Sequence, residues 1–190
     1  NGNFAKDYIN AFAGSFDGNG HTISNLTIES DGRDNIGLFG NVHLNGSPAT
    51  YALQDITVEN AAITTNQFIN GGHIGVLAGQ VHGAGAISGC TVSGTINCRE
   101  ACTNTYAGGM FGFLNPTTGF VDQVYLTVDS CFANVNITGA PLYAGGFVGY
   151  LGSCGAITNC GAVGNVAITD PYSYMPFAGG FIGSLETMNG

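Results

Sequence analysis

Twelve carboxylates, four histidines and six cysteines are the groups in this 190-residue chain that could make or break bonds. Acid–base cleavage of a glycosidic bond needs two carboxyls held about 5–9.5 Å apart across a cleft. The close acid pairs are Asp31 with Asp34, Asp55 with Glu59, and Asp122 with Asp129. They lie in turn-like stretches or, for Asp55, inside a regularly spaced apolar pattern, so turn and solvated roles are the stronger reading. His21, His43, His73 and His82 lack zinc-type spacing, and no His-Glu-x-x-His occurs. No Ser or Cys sits in a nucleophile elbow or beside a partnering histidine. Asp17-Gly18-Asn19-Gly20 offers oxygens to a hard cation, but calcium takes about six to eight and the flanks supply few more, so this segment reads as a turn capped by His21. The expectation is a chain with no catalytic, cofactor or metal centre, and so not an enzyme.

The elements that must position these residues emerge from an internal repeat. One set of segments reads Ile36-Gly-Leu-Phe-Gly40, Gly75-Val-Leu-Ala-Gly79, Gly108-Gly-Met-Phe-Gly112, Gly145-Gly-Phe-Val-Gly149 and Gly179-Gly-Phe-Ile-Gly183, about 35 residues apart. Two residues beyond each closing glycine stand Val42, Val81, Leu114, Leu151 and Leu185. A period of two marks a strand. Leu38, Leu77, Met110, Phe147 and Phe181 should then point inward with that second set. Phe39, Ala78, Phe111, Val148 and Ile182 point outward, unless a bulge turns them in.

A second set alternates with the first: Ile23-x-x-Leu26-x-Ile28, Leu53-x-x-Ile56-x-Val58, Ile87-x-x-Cys90-x-Val92, Val128-x-x-Cys131-x-Ala133 and Ile157-x-x-Cys160-x-Ala162. The step of three followed by two implies a bend, with Asn25, Asp55, Ser130 and Asn159 at the turning residue. Such short strands cannot bury a face alone and must stack. Helices fail because every apolar 3.6-period window contains glycine, and a sandwich would not repeat identical columns. The fold expected is all-β, a right-handed parallel β-helix of about five coils, with repeats at approximately 12–42, 53–81, 87–114, 128–151 and 157–185 in a single unit over 1–190. Both ends look cut, as in a piece of a longer protein. The glycines should serve corners with positive φ and close backbone approach.

In that stack Cys90, Cys131 and Cys160 share a column with Leu26 and Ile56 and read as an inner ladder of free thiols. Cys98, Cys102 and Cys154 fall in inserts, and an oxidised Cys98–Cys102 pair is open. His73, Tyr106, Tyr143 and Phe177 each precede a glycine-rich strand and should stack at one corner. Facing out, they form a row of rings able to hold sugars or a partner's apolar side chains; lying flat, they seal the corner. Tyr172 and Tyr174 could widen that surface. Asn25-Leu-Thr27 and Asn136-Ile-Thr138 match the glycan-acceptor pattern in strand-like settings.

Phe12-Ala-Gly-Ser-Phe-Asp-Gly-Asn-Gly-His-Thr-Ile-Ser-Asn-Leu-Thr-Ile28, followed by Gly37-Leu-Phe-Gly40, closely resembles the GLUG-type repeat of bacterial surface proteins. The later Gly-Gly-[Phe/Met]-x-Gly segments, with Ile-x-Asn-Cys between them, resemble its internal copies. The resemblance implies a β-helical stretch of a secreted or cell-surface protein. Large adhesins, haemagglutinin-like exoproteins and the non-catalytic region of immunoglobulin-A-cleaving metallopeptidases carry such repeats. It implies display or adhesion as the role, with a glycan, a host-surface protein, or neighbouring repeats and domains of the parent protein as partners. A part in a polysaccharide-degrading β-helix enzyme, or an accessory region of a large secreted peptidase, is the alternative.

Composition narrows the partners further. Only 8% of residues are charged and 32 are glycine, with Lys6, Arg33 and Arg99 the only cations and a formal charge of −9. Phosphate backbones and anionic membranes bind clustered Lys and Arg, which this chain lacks. No apolar run is long enough to span a bilayer.

Overall fold

A computed structural model describes residues 11–30, 35–45, 52–65, 71–115, 126–152, 156–169 and 175–185. Every strand pairing among them is parallel, and no helix occurs among them. The chain winds as a parallel β-helix in which each coil contributes to the same succession of faces. One face stacks Phe16–Asp17, Ala52–Gln54, the end of Ala78–Ser88, Leu126–Asp129 and Ala156–Thr158. The next stacks Thr22–Ser24 and Thr27–Ser30 under Thr57–Thr65, then the first parts of Thr91–Gly108 and Phe132–Gly145, then Gly161–Val163 and Val166–Ile168. A short third face aligns Asn35–Ile36, His73–Gly75, Tyr106, Tyr143 and Phe177–Gly179. The glycine-rich segments then lead into Phe39–Asn45, Ala78, Phe111–Asn115, Val148–Leu151 and Ile182–Leu185.

Inward columns make the core. Val42, Val81 and Leu114 are fully buried, as are Leu53, Ile87 and Val128 on another face. Ile56, Cys90 and Cys131 form a third buried column, each just before the strand that follows a corner. At that corner Asp55, Gly89, Ser130 and Asn159 have φ of 52°, 64°, 53° and 53°. This left-handed conformation turns the chain in one residue, which explains the three-then-two spacing. Backbone donors continue the ladder through the turn, from Asp55 to Ser88, from Gly89 to Asp129 and from Ser130 to Thr158 at 3.0–3.2 Å.

The thiols of Cys90, Cys131 and Cys160 each point at the carbonyl two residues back, at 3.3, 3.2 and 3.0 Å. All three lie outside any disulfide, as does Cys98. Hydrogen bonding with the Cys90 thiol and burial hold the Cys131 thiol above its ordinary range. Cys154 and the Cys102 side chain lie outside the described residues, as do Asp31, Asp34 and Asp122.

Four expectations change. In the first coil the pattern is offset: Phe16, not Ile23, pairs with Leu53, while Ile23 pairs with Val58 and Ile28 with Ile63. Asn19-Gly20 inserts a tight turn closed by the His21 N–H on the Gly18 carbonyl, 2.8 Å, and shifts the downstream residues. Leu26 therefore lies beside Ala61 and Ala62 rather than under Ile56, and Asn25 sits by Asn60. Second, Cys98 belongs to a strand, paired with Thr65 and Gly139, and is buried. Third, the stripe left open between outward and inward turns inward: Ala78, Phe111 and Val148 face the core along with Leu77, Met110 and Phe147, because a bend at the glycine pair turns two successive residues into it. Fourth, none of the Gly-Gly corner glycines has positive φ. They are small because backbone crosses their missing side chains: a Cβ on Gly108 would lie 1.8 Å from the Phe111 carbonyl, and one on Gly145 1.9 Å from that of Val148.

A candidate binding surface at the glycine-rich corner

The same crowding shapes the outside of the molecule. A Cβ on Gly112 would approach the Ile74 N–H nitrogen at 2.3 Å, and one on Gly149 the Ala107 nitrogen at 2.7 Å. The short strand before the bend and the strand after it thus run nearly in backbone contact. Their outward side chains meet across a re-entrant corner.

Before the bend the outward column is Asn35, His73, Tyr106, Tyr143 and Phe177, in continuous register. After it comes a second column: Asn41, Gln80, Phe113, Tyr150 and Ser184. The rings interlock between columns. Tyr106 stacks on Tyr150 at 5.0 Å and 21°, and Phe113 meets His73, Tyr106 and Tyr150 at 5.0, 5.6 and 5.4 Å. Tyr143 packs edge-on against Tyr106 and Tyr150, at 5.0 and 5.4 Å, and stacks on Phe177 at 5.3 Å and 13°. Edge-to-face and offset stacking are favourable beyond area alone. His73, Tyr106, Phe113, Tyr143 and Tyr150 are half-buried, while Phe177 is 52% exposed.

The layer changes character along the helix. Toward the first coil it is polar: Asn35 Nδ2 donates to Gln80 Oε1 at 3.2 Å, leaving Asn35 Oδ1 to accept from His73 Nδ1 at 2.6 Å. That arrangement needs a proton on His73 Nδ1, which both the neutral Nδ1–H tautomer and the charged ring carry. Burial, helped by the nearby His82, lowers its pKa to about 4, in keeping with the neutral form. Toward the later coils it is aromatic, through Tyr106, Phe113, Tyr143, Tyr150 and Phe177, until Ser184 ends the second column.

Of the residues expected to form this surface, His73, Tyr106, Tyr143 and Phe177 are brought together; Tyr172 and Tyr174 lie outside the described residues. The column of Gln80, Phe113 and Tyr150 was not anticipated. Its signal is the residue between each closing glycine and the next inward aliphatic, which strand alternation turns outward.

The carboxylates do not form an opposed pair among the described residues. Asp55 and Glu59 are exposed, with Asp55 at the left-handed corner. Asp129 accepts from Thr158 Oγ1 at 2.5 Å, Ser130 Oγ at 2.7 Å and Asn159 Nδ2 at 2.8 Å, which hold its carboxyl below the usual range. Asp17 accepts from the Asn19 N–H at 2.7 Å and from Gln54 Nε2 at 2.9 Å, as a turn residue does.

Residues 140–167 match the pattern described as the GLUG motif. Over 108 residues, 57% of this chain, the sequence is 37% identical to halomucin of Haloquadratum walsbyi. The matched region spans about 1% of that protein's length. No solved structure matches the chain. The chain thus carries the GLUG motif, laid across the glycine-rich corner of one coil and the left-handed corner of the next.

Proposed function

We propose that this chain is a non-catalytic repeat module of a secreted or cell-surface protein, and that it presents its outer aromatic layer for attachment to a glycan or a host-surface protein. The observation that carries the reading is the two-column layer of His73, Tyr106, Phe113, Tyr143, Tyr150 and Phe177, with rings about 5 Å apart on a frame of in-register strands. Flat rings with hydroxyl edges suit the apolar faces and hydroxyl rims of sugars. Likeness to one short stretch of halomucin, and the GLUG motif itself, support placement in a large extracellular repeat protein. With a formal charge of −9, nucleic acids and anionic membranes are poor partners.

A glycan array probed with the intact chain tests this reading, alongside Tyr150→Ala and Tyr106→Ala and a polysaccharide-depolymerisation assay. Retention of a defined glycan class, weakened about tenfold or more in either variant, is the expected result. Reproducible depolymerisation would establish the enzymatic alternative. Binding that ignores both tyrosines would move the surface elsewhere.

A further inference from the structure

The two outward columns of the glycine-rich corner meet on a diagonal, the residue before the bend in one coil lying against the residue after the closing glycine in the next. Backbone crowding sets this contact. A Cβ on Gly79 would lie 2.5 Å from the Ile36 nitrogen, one on Gly112 would run into the Ile74 nitrogen, and one on Gly149 would lie 2.7 Å from that of Ala107. Gly183 is pressed on Ala144 in the same way, at 2.7 Å. The residue after each of these glycines and the residue before each crowded neighbour therefore share one diagonal: Asn35 with Gln80, His73 with Phe113, Tyr106 with Tyr150, and Tyr143 with Ser184.

The first three pairs touch. Asn35 Nδ2 reaches Gln80 Oε1 at 3.2 Å, and the ring centroids of His73 with Phe113 and of Tyr106 with Tyr150 are 5.0 Å apart. Of the four, Tyr106 with Tyr150 alone sets two oxidisable phenols together. At 5.0 Å and 21° these rings stack with an offset, so their edges overlap, and each lateral edge of a tyrosine ring carries a carbon ortho to the hydroxyl. Tyr143 is as near to both, at 5.0 and 5.4 Å, but stands edge-on at 72° and 78°. Both rings of the stacked pair are half-buried, so each keeps part of its surface in solvent.

We propose that Tyr106 and Tyr150 are a site of oxidative cross-linking, closed by a carbon–carbon bond from ortho position to ortho position that ties one coil to the next across the outside of the corner. The co-reactants are a haem peroxidase and hydrogen peroxide. Each phenol gives up one electron and its hydroxyl proton, and the two phenoxyl radicals couple at their ortho carbons. Each ring then loses the hydrogen of its coupled carbon while its oxygen regains a proton, which restores both phenols. The chain is oxidised by two electrons and loses two hydrogens, and one hydrogen peroxide is reduced to two waters. The fold contributes the encounter, since rings already held in contact couple without a search.

Brief treatment of the whole 190-residue chain with a haem peroxidase and hydrogen peroxide, dilute enough that chains rarely meet, tests this when followed by peptide mass spectrometry. The expected product is one chain whose peptides holding Tyr106 and Tyr150 are joined with the loss of two hydrogens, together with the blue fluorescence of dityrosine. Tyr106→Phe and Tyr150→Phe keep the rings and should keep the parent's thermal midpoint, yet each should abolish the joined peptides. Tyr143→Phe should retain them. A parent chain without joined peptides overturns the proposal. So does a bond that favours Tyr143, or one spread evenly over the eight tyrosines.

Discussion

At Asp55, Gly89, Ser130 and Asn159 the chain turns by taking φ of 52–64°, and three of the four residues are not glycine. At the glycine-rich corner it turns with no positive φ at all, yet a methyl group on Gly108 or Gly145 would sit inside a neighbouring carbonyl. One corner is a conformational demand, which Asn, Asp and Ser can meet through their short polar side chains. The other is a demand for space between backbones, and no other residue meets it. Glycine therefore does different things at the two places, and substitution should separate them.

Gly145→Ala brings the largest expected effect. Its Cβ would meet the Val148 oxygen at 1.9 Å and the Gly183 nitrogen at 2.6 Å, both backbone atoms that cannot step aside. Urea unfolding should show a loss of about 3 kcal/mol; a loss below about 1 kcal/mol would break the crowding account. Acid comes next and acts on the two corners in different ranges. His73 is held near 4 in the fold against 6.5 when unfolded, because its neutral form is favoured. The stability this gives is intact above pH 6.5 and falls away as pH drops toward 4, by about 3 kcal/mol in all. His73→Phe, the residue type of Phe177, should remove that step from a plot of thermal midpoint against pH. Asp129, lowered from 3.8, keeps its contribution above about pH 4 and loses it as pH falls through the lowered value, a later step that Asp129→Asn should erase.

Gly89→Ala should cost less, about 1 kcal/mol. Its φ of 64° penalises a side chain, but the nearest atom is Asp55 Oδ1, the movable end of a carboxylate. A cost as large as that of Gly145→Ala would erase the distinction between the corners. Ser130→Asn is the smallest change: asparagine accepts φ near 53° more readily than serine and already serves at Asn159, so a gain of about 0.5 kcal/mol is expected in the same unfolding assay.

The stacking of Leu53, Ile87, Val128 and Ile157, and of Ile56, Cys90, Cys131 and Cys160, is legible because buried columns force like residues to recur at like spacing. The first coil hid its register, because Asn19-Gly20 adds a turn without disturbing the apolar rhythm on either side. The inward turn of Phe111 and Val148 was ambiguous, since a period of two sets alternation along a strand but says nothing about a bend that breaks it. The ring column from His73 to Phe177 could be read from its fixed place before the glycines. Phe113 and Tyr150 escaped because the first coils fill their column with Asn41 and Gln80, so no shared residue type marks it. Their meeting with Tyr106 and Tyr143 depends on how sharply the corner folds back, a property of glycine packing that no single segment displays.

Because every column passes only from one coil to the next, the energy of this fold is a chain of nearest-neighbour couplings. Cooperativity then has a direction. Amide exchange should be slowest around Ile96 and Ile137, which are covered on both sides, and should quicken outward by layers as end coils open and reclose. Duplicating or deleting one whole turn would change the two seams it touches and leave distant layers as they were, so such a protein can lengthen by genetic repetition without redesigning its interior.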